Sequence, residues 1–260
     1  MRSDADKIKK IVKDGYAKAL SRETSCCSSS SCCGGATQAK DISKKVGYSD
    51  SELNAVPEGA NLGFGCGNPV ALALLKEGDV VLDLGSGAGF DAFLSAQRVG
   101  KAGRVIGVDM TPEMVAKAQE NAKKGNYANV EFRLGEIEKL PVDDNSIDVI
   151  ISNCVINLSP DKKTVFKEAY RVLKAGGRLM VSDLVLAKDL PQEIRDSVEA
   201  YVGCLAGAVK KDEYLRIIKI AGFNDVEVIS ESGYPVDTMF DNLEAAQDSI
   251  VSIKVSAVKR

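Results

Sequence analysis

The segment Val80-Val81-Leu82-Asp83-Leu84-Gly85-Ser86-Gly87-Ala88-Gly89-Phe90-Asp91 is answered further on by Val105-Ile106-Gly107-Val108-Asp109. The first predicts a buried strand, a glycine turn and a helix start. The second predicts the next strand, ending on an acid. Together they demand two parallel strands joined by a crossover helix, with the glycines bringing backbone close to a ligand at the strand ends.

The details of that turn select the ligand. The glycines fall at 85, 87 and 89 and miss the Gly-x-Gly-x-x-Gly pyrophosphate spacing. Asp83, just before the turn, would repel a pyrophosphate but suits the ammonium of an amino-acid tail. Asp109, at the tip of the second strand, can accept two hydrogen bonds from a ribose diol. S-adenosylmethionine carries a ribose, an adenine and an amino-acid tail without phosphate, so Asp83, Gly85, Ser86, Gly87, Gly89 and Asp109 are the expected cofactor residues. The plain alternative is a glycine turn that only packs helix against sheet.

Alternation continues from this unit. Strands are predicted at 80–84, 104–109, 130–134, 147–152 and 178–183, and helices at 90–99, 112–124 and 161–174. Thr111-Pro112-Glu113 starts the second helix, and Gly176-Gly177 ends the third. The pattern implies an α/β fold with a doubly wound, mainly parallel sheet and ligands beyond the carboxyl ends of the strands. Two further strands, near 225–230 and 250–258, complete it as an antiparallel pair. Residues 190–221 read as helical and form a candidate C-terminal lid or cap.

Upstream, Ile8, Ile11, Val12, Tyr16 and Leu20 keep helical spacing, so a short amphipathic helix is expected over 4–20. The Ser/Thr/Cys/Gly run over 21–35 has nothing to bury and reads as a mobile loop. Gly59, Gly63, Gly65 and Gly67 surround Cys66 in a glycine-rich loop, and Asn68-Pro69 caps a helix expected over 70–76. The expected division is 1–40 for the helix and Cys-rich loop, 41–185 for the cofactor domain with the Cys66 loop, and 186–260 for the lid and final strands.

Composition narrows the classes. A length of 260 residues suits one large domain or one with a small cap. A net charge of −3 with no block of like charges argues against a nucleic-acid surface. No apolar run approaches a membrane span, and Met1-Arg2-Ser3-Asp4 begins no apolar leader core, so the cytoplasm is expected and a membrane partner is not. Histidine is absent, which removes the commonest general base and zinc ligand. Seven cysteines, an odd number in a reducing compartment, do not suit a full disulfide framework and are expected to act as thiols or thiolates.

Gly135-Glu136-Ile137-Glu138 follows the third strand, where an adenine edge would lie. The backbone after Glu136 and the apolar face of Ile137 would read the base, unless this is a plain surface loop. Met110 would cover the other adenine face or serve as core. Ser152-Asn153-Cys154 ends the fourth strand, at the reactive end of the cofactor, with Asn153 on the cofactor side. Single cysteines thus stand in three separate segments: Cys66 in the glycine loop, Cys154 at a strand tip and Cys204 in the candidate lid. Each alone reads as a small buried hydrophobe. Two or three converging thiolates instead suit a soft electrophilic centre.

Three stretches resemble the arsenite S-adenosylmethionine methyltransferase family: the run from Val56 to Pro69 around Cys66, Ser152-Asn153-Cys154-Val155-Ile156-Asn157-Leu158, and Gly203-Cys204-Leu205-Ala206-Gly207-Ala208. The resemblance covers nearly the whole chain from about residue 40. It implies the class I methyltransferase fold and S-adenosylmethionine as cofactor. Catalytic cysteines would be Cys66, Cys154 and Cys204, with trivalent arsenic on Cys154 and Cys204, Cys66 needed early in the cycle and a third candidate ligand. It also implies arsenite or its thiol conjugates as substrate, a thiol reductant as partner, methylarsenicals as products and arsenic detoxification as the role. Family members use a further N-terminal cysteine that pairs with Cys66 in redox steps. Here Cys26, Cys27, Cys32 and Cys33 compete for it, or form only an adventitious metal-catching tail. Two rival readings share parts of the pattern. One is a carbon or oxygen methyltransferase for a small metabolite, and the other is a thiol protein that sequesters arsenite or a soft metal.

Overall fold

The computed structural model describes residues 2–24, 34–236 and 244–260. Seven strands form one sheet: β1 (Val80–Leu84), β2 (Arg104–Asp109), β3 (Val130–Leu134), β4 (Ile147–Asn153), β5 (Leu173–Leu186), β6 (Asn224–Gly233) and β7 (Ile250–Val258). Their order is β3-β2-β1-β4-β5-β7-β6. The first five run parallel, and β7 lies antiparallel between β5 and β6. Strand order reverses between β1 and β4, so a crevice opens at their carboxyl ends.

The helices are α1 (Arg2–Thr24), α2 (Gly34–Lys45), α3 (Asp50–Ala55), α4 (Pro69–Leu72), α5 (Phe90–Val99), α6 (Pro112–Lys124), α7 (Lys162–Val172), α8 (Gln192–Arg195), α9 (Val198–Val202) and α10 (Lys211–Ile220). Side chains of α5 and α6 fill one face of the sheet through Phe93, Leu94, Val115 and Ala118. The other face takes Phe166 and Val172 of α7 with Tyr214, Ile217 and Ile218 of α10. Each fully buried aliphatic or aromatic side chain contributes about 1.5–3 kcal/mol, so these two layers fix the sheet.

Local chemistry sets the boundaries. Gly89 starts α5 with φ 98°, and Gly100 ends it with φ 67°. Asp161 caps α7 by accepting from the Thr164 amide at 3.0 Å. The helix expected over 70–76 is one turn, Pro69–Leu72, because the chain breaks at Leu74, whose φ is 47°. The fifth strand is longer than the expected 178–183: β7 pairs with it out to Leu186, and its pairing with β4 begins at Leu173, so α7 ends at Val172 and Gly176-Gly177, expected to end that helix, lies within the strand. Within 190–221, α10 packs on the sheet beside α7, while α8 and α9 lie at the carboxyl end with Cys204 just after them. At the other end of the chain α1 runs to Thr24 and α2 starts at Gly34. The rest of the run expected to be a mobile loop, with Cys26, Cys27, Cys32 and Cys33, lies outside the described residues.

A third apolar cluster sits over the crevice. It joins Val12 of α1 to Cys66, Cys154, Leu158, Leu190, Ile194, Cys204 and Tyr234. Helix α1 packs against α6 and α9.

Candidate active site

A cleft, partly open to solvent, occupies the strand-order reversal. Its floor is Asp83, Gly85, Ser86 and Gly87, one end is Asp109, and Asn153 and Cys154 form the other. Asp109 is oriented by its neighbours. Its carboxylate accepts from the Gly87 amide at 3.0 Å and from the Thr111 amide at 2.8 Å. Burial raises its pKa, an effect that those two amides oppose. Each oxygen keeps acceptor capacity for a diol.

Asp83 is buried, and its Oδ2 has no hydrogen-bond partner among the described residues, nor has Ser86 Oγ. Burial, then Asp91 and Asp109, hold the Asp83 carboxyl well above the usual range. A buried carboxylate oxygen left without a partner beside a cleft is costly unless a cationic ligand meets it.

The glycines divide by role. A Cβ on Gly85 would strike Val155 at 2.3 Å, and one on Gly89 would strike Phe93 at 2.6 Å and Phe132 at 2.7 Å. Gly89 therefore serves helix–sheet packing, while Gly85 lets the turn close against the loop after β4 and lines the cleft. Gly87, at φ 50°, has nothing within 4 Å of its Cβ position and faces the cleft. A smaller recess adjoins, lined by Gly85, Asp109, Met110, Ile137 and Glu138. The Glu136 carboxylate instead meets Lys9 of α1 at 2.8 Å.

Three thiols share the apolar cluster beside the Asn153 end of the cleft, and Cys154 lines the cleft itself. Cys66, Cys154 and Cys204 are 3%, 4% and 3% exposed. They come from a loop before β1, the tip of β4 and the turn after α9. Cys154 follows directly on the Asn153–Ser182 register pair between β4 and β5, and its amide donates to Ser182 O at 2.9 Å. Cys66 is anchored through its amide, which donates to Asn153 Oδ1 at 3.0 Å, and its carbonyl, which accepts from Ser252 Oγ at 2.8 Å. The Cys204 thiol donates to Cys154 O at 2.6 Å. Burial raises the pKa of Cys66 and, further, of Cys154, whose thiol is also raised by Cys204 and Cys66. Tyr16 of α1 faces the same group; burial first, then Cys204 and Cys154, push its phenol well above its ordinary value.

A sequence profile of the methyltransferase domain matches residues 75–222. The chain is 46% identical over 233 residues to the arsenite methyltransferase of Halobacterium salinarum, covering 86% of this chain and 59% of that one. It is 37% identical over 225 residues to human arsenite methyltransferase, covering 83% and 58%. The crystal structure of an arsenic(III) S-adenosylmethionine methyltransferase from Chlamydomonas reinhardtii superposes with a TM-score of 0.66 at 33% identity, covering 84% of this chain and 73% of that one.

The chain belongs to the arsenite S-adenosylmethionine methyltransferase family.

The first two relatives set the scale, since the chain spans about six tenths of their length. The doubly wound sheet expected from the strand alternation, and the class I methyltransferase fold that the resemblance implies, are the fold observed.

Within this family fold, several site residues escape sequence reasoning. Asn61 lines the cleft, accepts from the Gly63 amide at 3.0 Å, and leaves its buried Nδ2 without a partner among the described residues. The Asn-x-Gly spacing was its only local signal. Tyr48 donates to Asp91 Oδ1 at 2.6 Å and accepts from Asn153 Nδ2 at 2.8 Å, tying α5 to the Cys66 anchor. Asp183 sits in β5, beside Cys66 and Cys154. Glycine is also forced near the thiols. A Cβ on Gly67 would overlap Ser182 Oγ at 1.9 Å, and one on Gly207 would overlap Asn157 O at 2.1 Å.

Proposed function

We propose that this chain transfers the methyl group of S-adenosylmethionine to trivalent arsenic held on Cys154 and Cys204, with Cys66 as the third ligand. The observation that carries this reading is the buried thiol group at the end of a cleft whose other walls offer Asp83, Gly87 and Asp109.

The residues present fit the cofactor. The unpartnered oxygen of Asp83 suits its ammonium, Asp109 its ribose diol, and Met110 and Ile137 its adenine. Gly87 leaves the room that any side chain would fill. When bound, S-adenosylmethionine supplies a methyl group on a positively charged sulfur. Thiolate-bound arsenic, the substrate, is pyramidal and keeps a lone pair aimed at such an electrophile. No side chain has to remove a proton from arsenic, so the absence of histidine costs nothing. The chain's contribution is alignment, worth roughly 7–11 kcal/mol when reacting atoms are held in contact. Val12, Tyr16 and Leu158 help to exclude water from that end.

The new arsenic–carbon bond replaces the sulfur–methyl bond, and S-adenosylhomocysteine leaves. The thiol reductant supplies the two electrons that return the arsenic and its cysteines to the reduced state. The products are methylarsenicals, and the physiological role is arsenic detoxification. The test is incubation of the full chain with methyl-labelled S-adenosylmethionine, a thiol reductant and arsenite, with separation of the products. Label in methylated arsenic is expected. Label only in an organic acceptor would replace this reading by a carbon or oxygen methyltransferase. Tight arsenite binding without transfer would replace it by sequestration.

A further inference from the structure

Asp183 stands out among the buried charges because nothing in methyl transfer requires it. One of its oxygens and the sulfurs of Cys66 and Cys154 all lie within 4.8 Å of one another, in a fully buried group. A tetrahedral zinc site with sulfur at about 2.3 Å and oxygen at about 2.0–2.2 Å needs donors somewhat closer than that, so a modest contraction supplies three of its four ligands and leaves the fourth position to a water. Cys204 is not a member, since its thiol is turned to the Cys154 carbonyl.

The carboxylate is also held as a metal-ligating carboxylate is held. Its Oδ1 accepts from Asn157 Nδ2 and the Leu184 amide, both at 2.9 Å, and its Oδ2 accepts from Tyr214 Oη at 2.8 Å. Such outer partners fix a ligand's direction and raise its value to a metal. Lys162 stands within electrostatic reach of Asp183 and Cys204, where it can offset charge that collects there.

We infer that Cys66, Cys154 and Asp183 form a binding site for a thiophilic divalent cation, zinc or cadmium, distinct in its third donor from the three-thiol arsenic site. Binding replaces the S–H bonds of Cys66 and Cys154 by two metal–sulfur bonds and releases two protons to solvent. The carboxylate supplies the third donor. A cation there occupies two of the arsenic ligands and so inhibits arsenic capture. The donor geometry alone carries the inference, which holds whether or not methyl transfer occurs.

The probe is cadmium alone, added to the full chain carrying Cys26→Ser, Cys27→Ser, Cys32→Ser and Cys33→Ser so that the N-terminal thiols do not compete. One tight cadmium is expected, with a thiolate-to-cadmium charge-transfer band of two-sulfur intensity and a cadmium NMR shift of mixed sulfur–oxygen ligation. Asp183→Asn keeps the side-chain shape, and Tyr214 can turn to accept from the new amide. It should weaken cadmium by at least about 10-fold, the lower end of what losing even an outer-shell partner costs. Cys204→Ser should leave cadmium affinity nearly unchanged. Loss of binding in Cys204→Ser with none in Asp183→Asn would overturn the site. If Asp183→Asn fails to fold, the NMR shift of the parent chain decides, and a three-sulfur shift, or no binding, sinks the inference.

Discussion

Cys154 and Cys204 both hold left-handed backbones, with φ of 60° and 65°, and the thiol of the second donates to the carbonyl of the first at 2.6 Å. Residues in that region cost of order 1–3 kcal/mol each and persist where surrounding structure over-determines them. Here Ser182 O, Tyr201 O and the close packing of Gly207 on Asn157 hold them. The two strained turns set the Cys204 thiol against the Cys154 carbonyl.

Cys154→Ser and Cys204→Ser should each abolish arsenite methylation while leaving S-adenosylmethionine affinity nearly intact. Product analysis and calorimetry on the same preparations check this. Near-normal turnover in either variant would show that arsenic is held elsewhere.

Asp109→Ala should weaken S-adenosylmethionine by about 1.5–3 kcal/mol, the worth of a hydrogen bond to a charged group. The Gly87 and Thr111 amides also lose their acceptor. Calorimetric titration reads the change, and an unaltered affinity refutes the role.

Glycine substitutions should separate packing from binding. Gly87→Ala has room, so the fold should survive with about 1–2 kcal/mol of left-handed strain while cofactor affinity falls. Gly207→Ala must displace the Asn157 carbonyl. It should lower methylation more than cofactor affinity, because it moves the turn that carries Cys204. Thermal melting, calorimetry and product assay, run on both variants, distinguish the two patterns.

Stability should depend on acid through Asp183, whose carboxyl burial pushes from 3.8 up to about 6. The folded chain then binds more protons than the unfolded one between those values. Unfolding free energy therefore falls as pH rises from about 4 to about 6 and levels off above. This group's share is about 3 kcal/mol. Asp183→Asn should remove that share of the slope in urea unfolding at a series of pH values in metal-free buffer. A slope equal to the parent's contradicts it.

The legible part of this protein was local. Alternating apolar runs and glycine punctuation between 80 and 153 gave strands and helices close to their true ends, because period and turn chemistry are properties of neighbouring residues. Asp83 and Gly87 share a turn that is continuous in sequence, whereas Asp109 meets them only through the pairing of β1 with β2, where its carboxylate accepts from the Gly87 amide. Errors arose where a distant partner decided an element's length. The fifth strand runs on to Leu186 because β7 covers it, whereas the helix after Pro69 ends at Leu72 for a local reason, the left-handed backbone of Leu74.

The thiol contexts were visible as motifs, but that they meet followed only from the family resemblance. Cys66, Cys154 and Cys204 lie in segments with no shared periodicity, and only the register of β4 on β5, with the packing of α8 and α9, brings their sulfurs together. Asp183 looks like one polar residue in a strand until the sheet turns it toward Cys66 and Cys154. Tyr16 reaches the site only because α1 crosses the crevice. The sequence by itself determined the parallel α/β framework and the cofactor turn, since both follow from short-range backbone preference and burial pattern. Tertiary structure alone decided which sulfurs and which carboxylate share one dry space, because that depends on contacts between residues far apart in the chain.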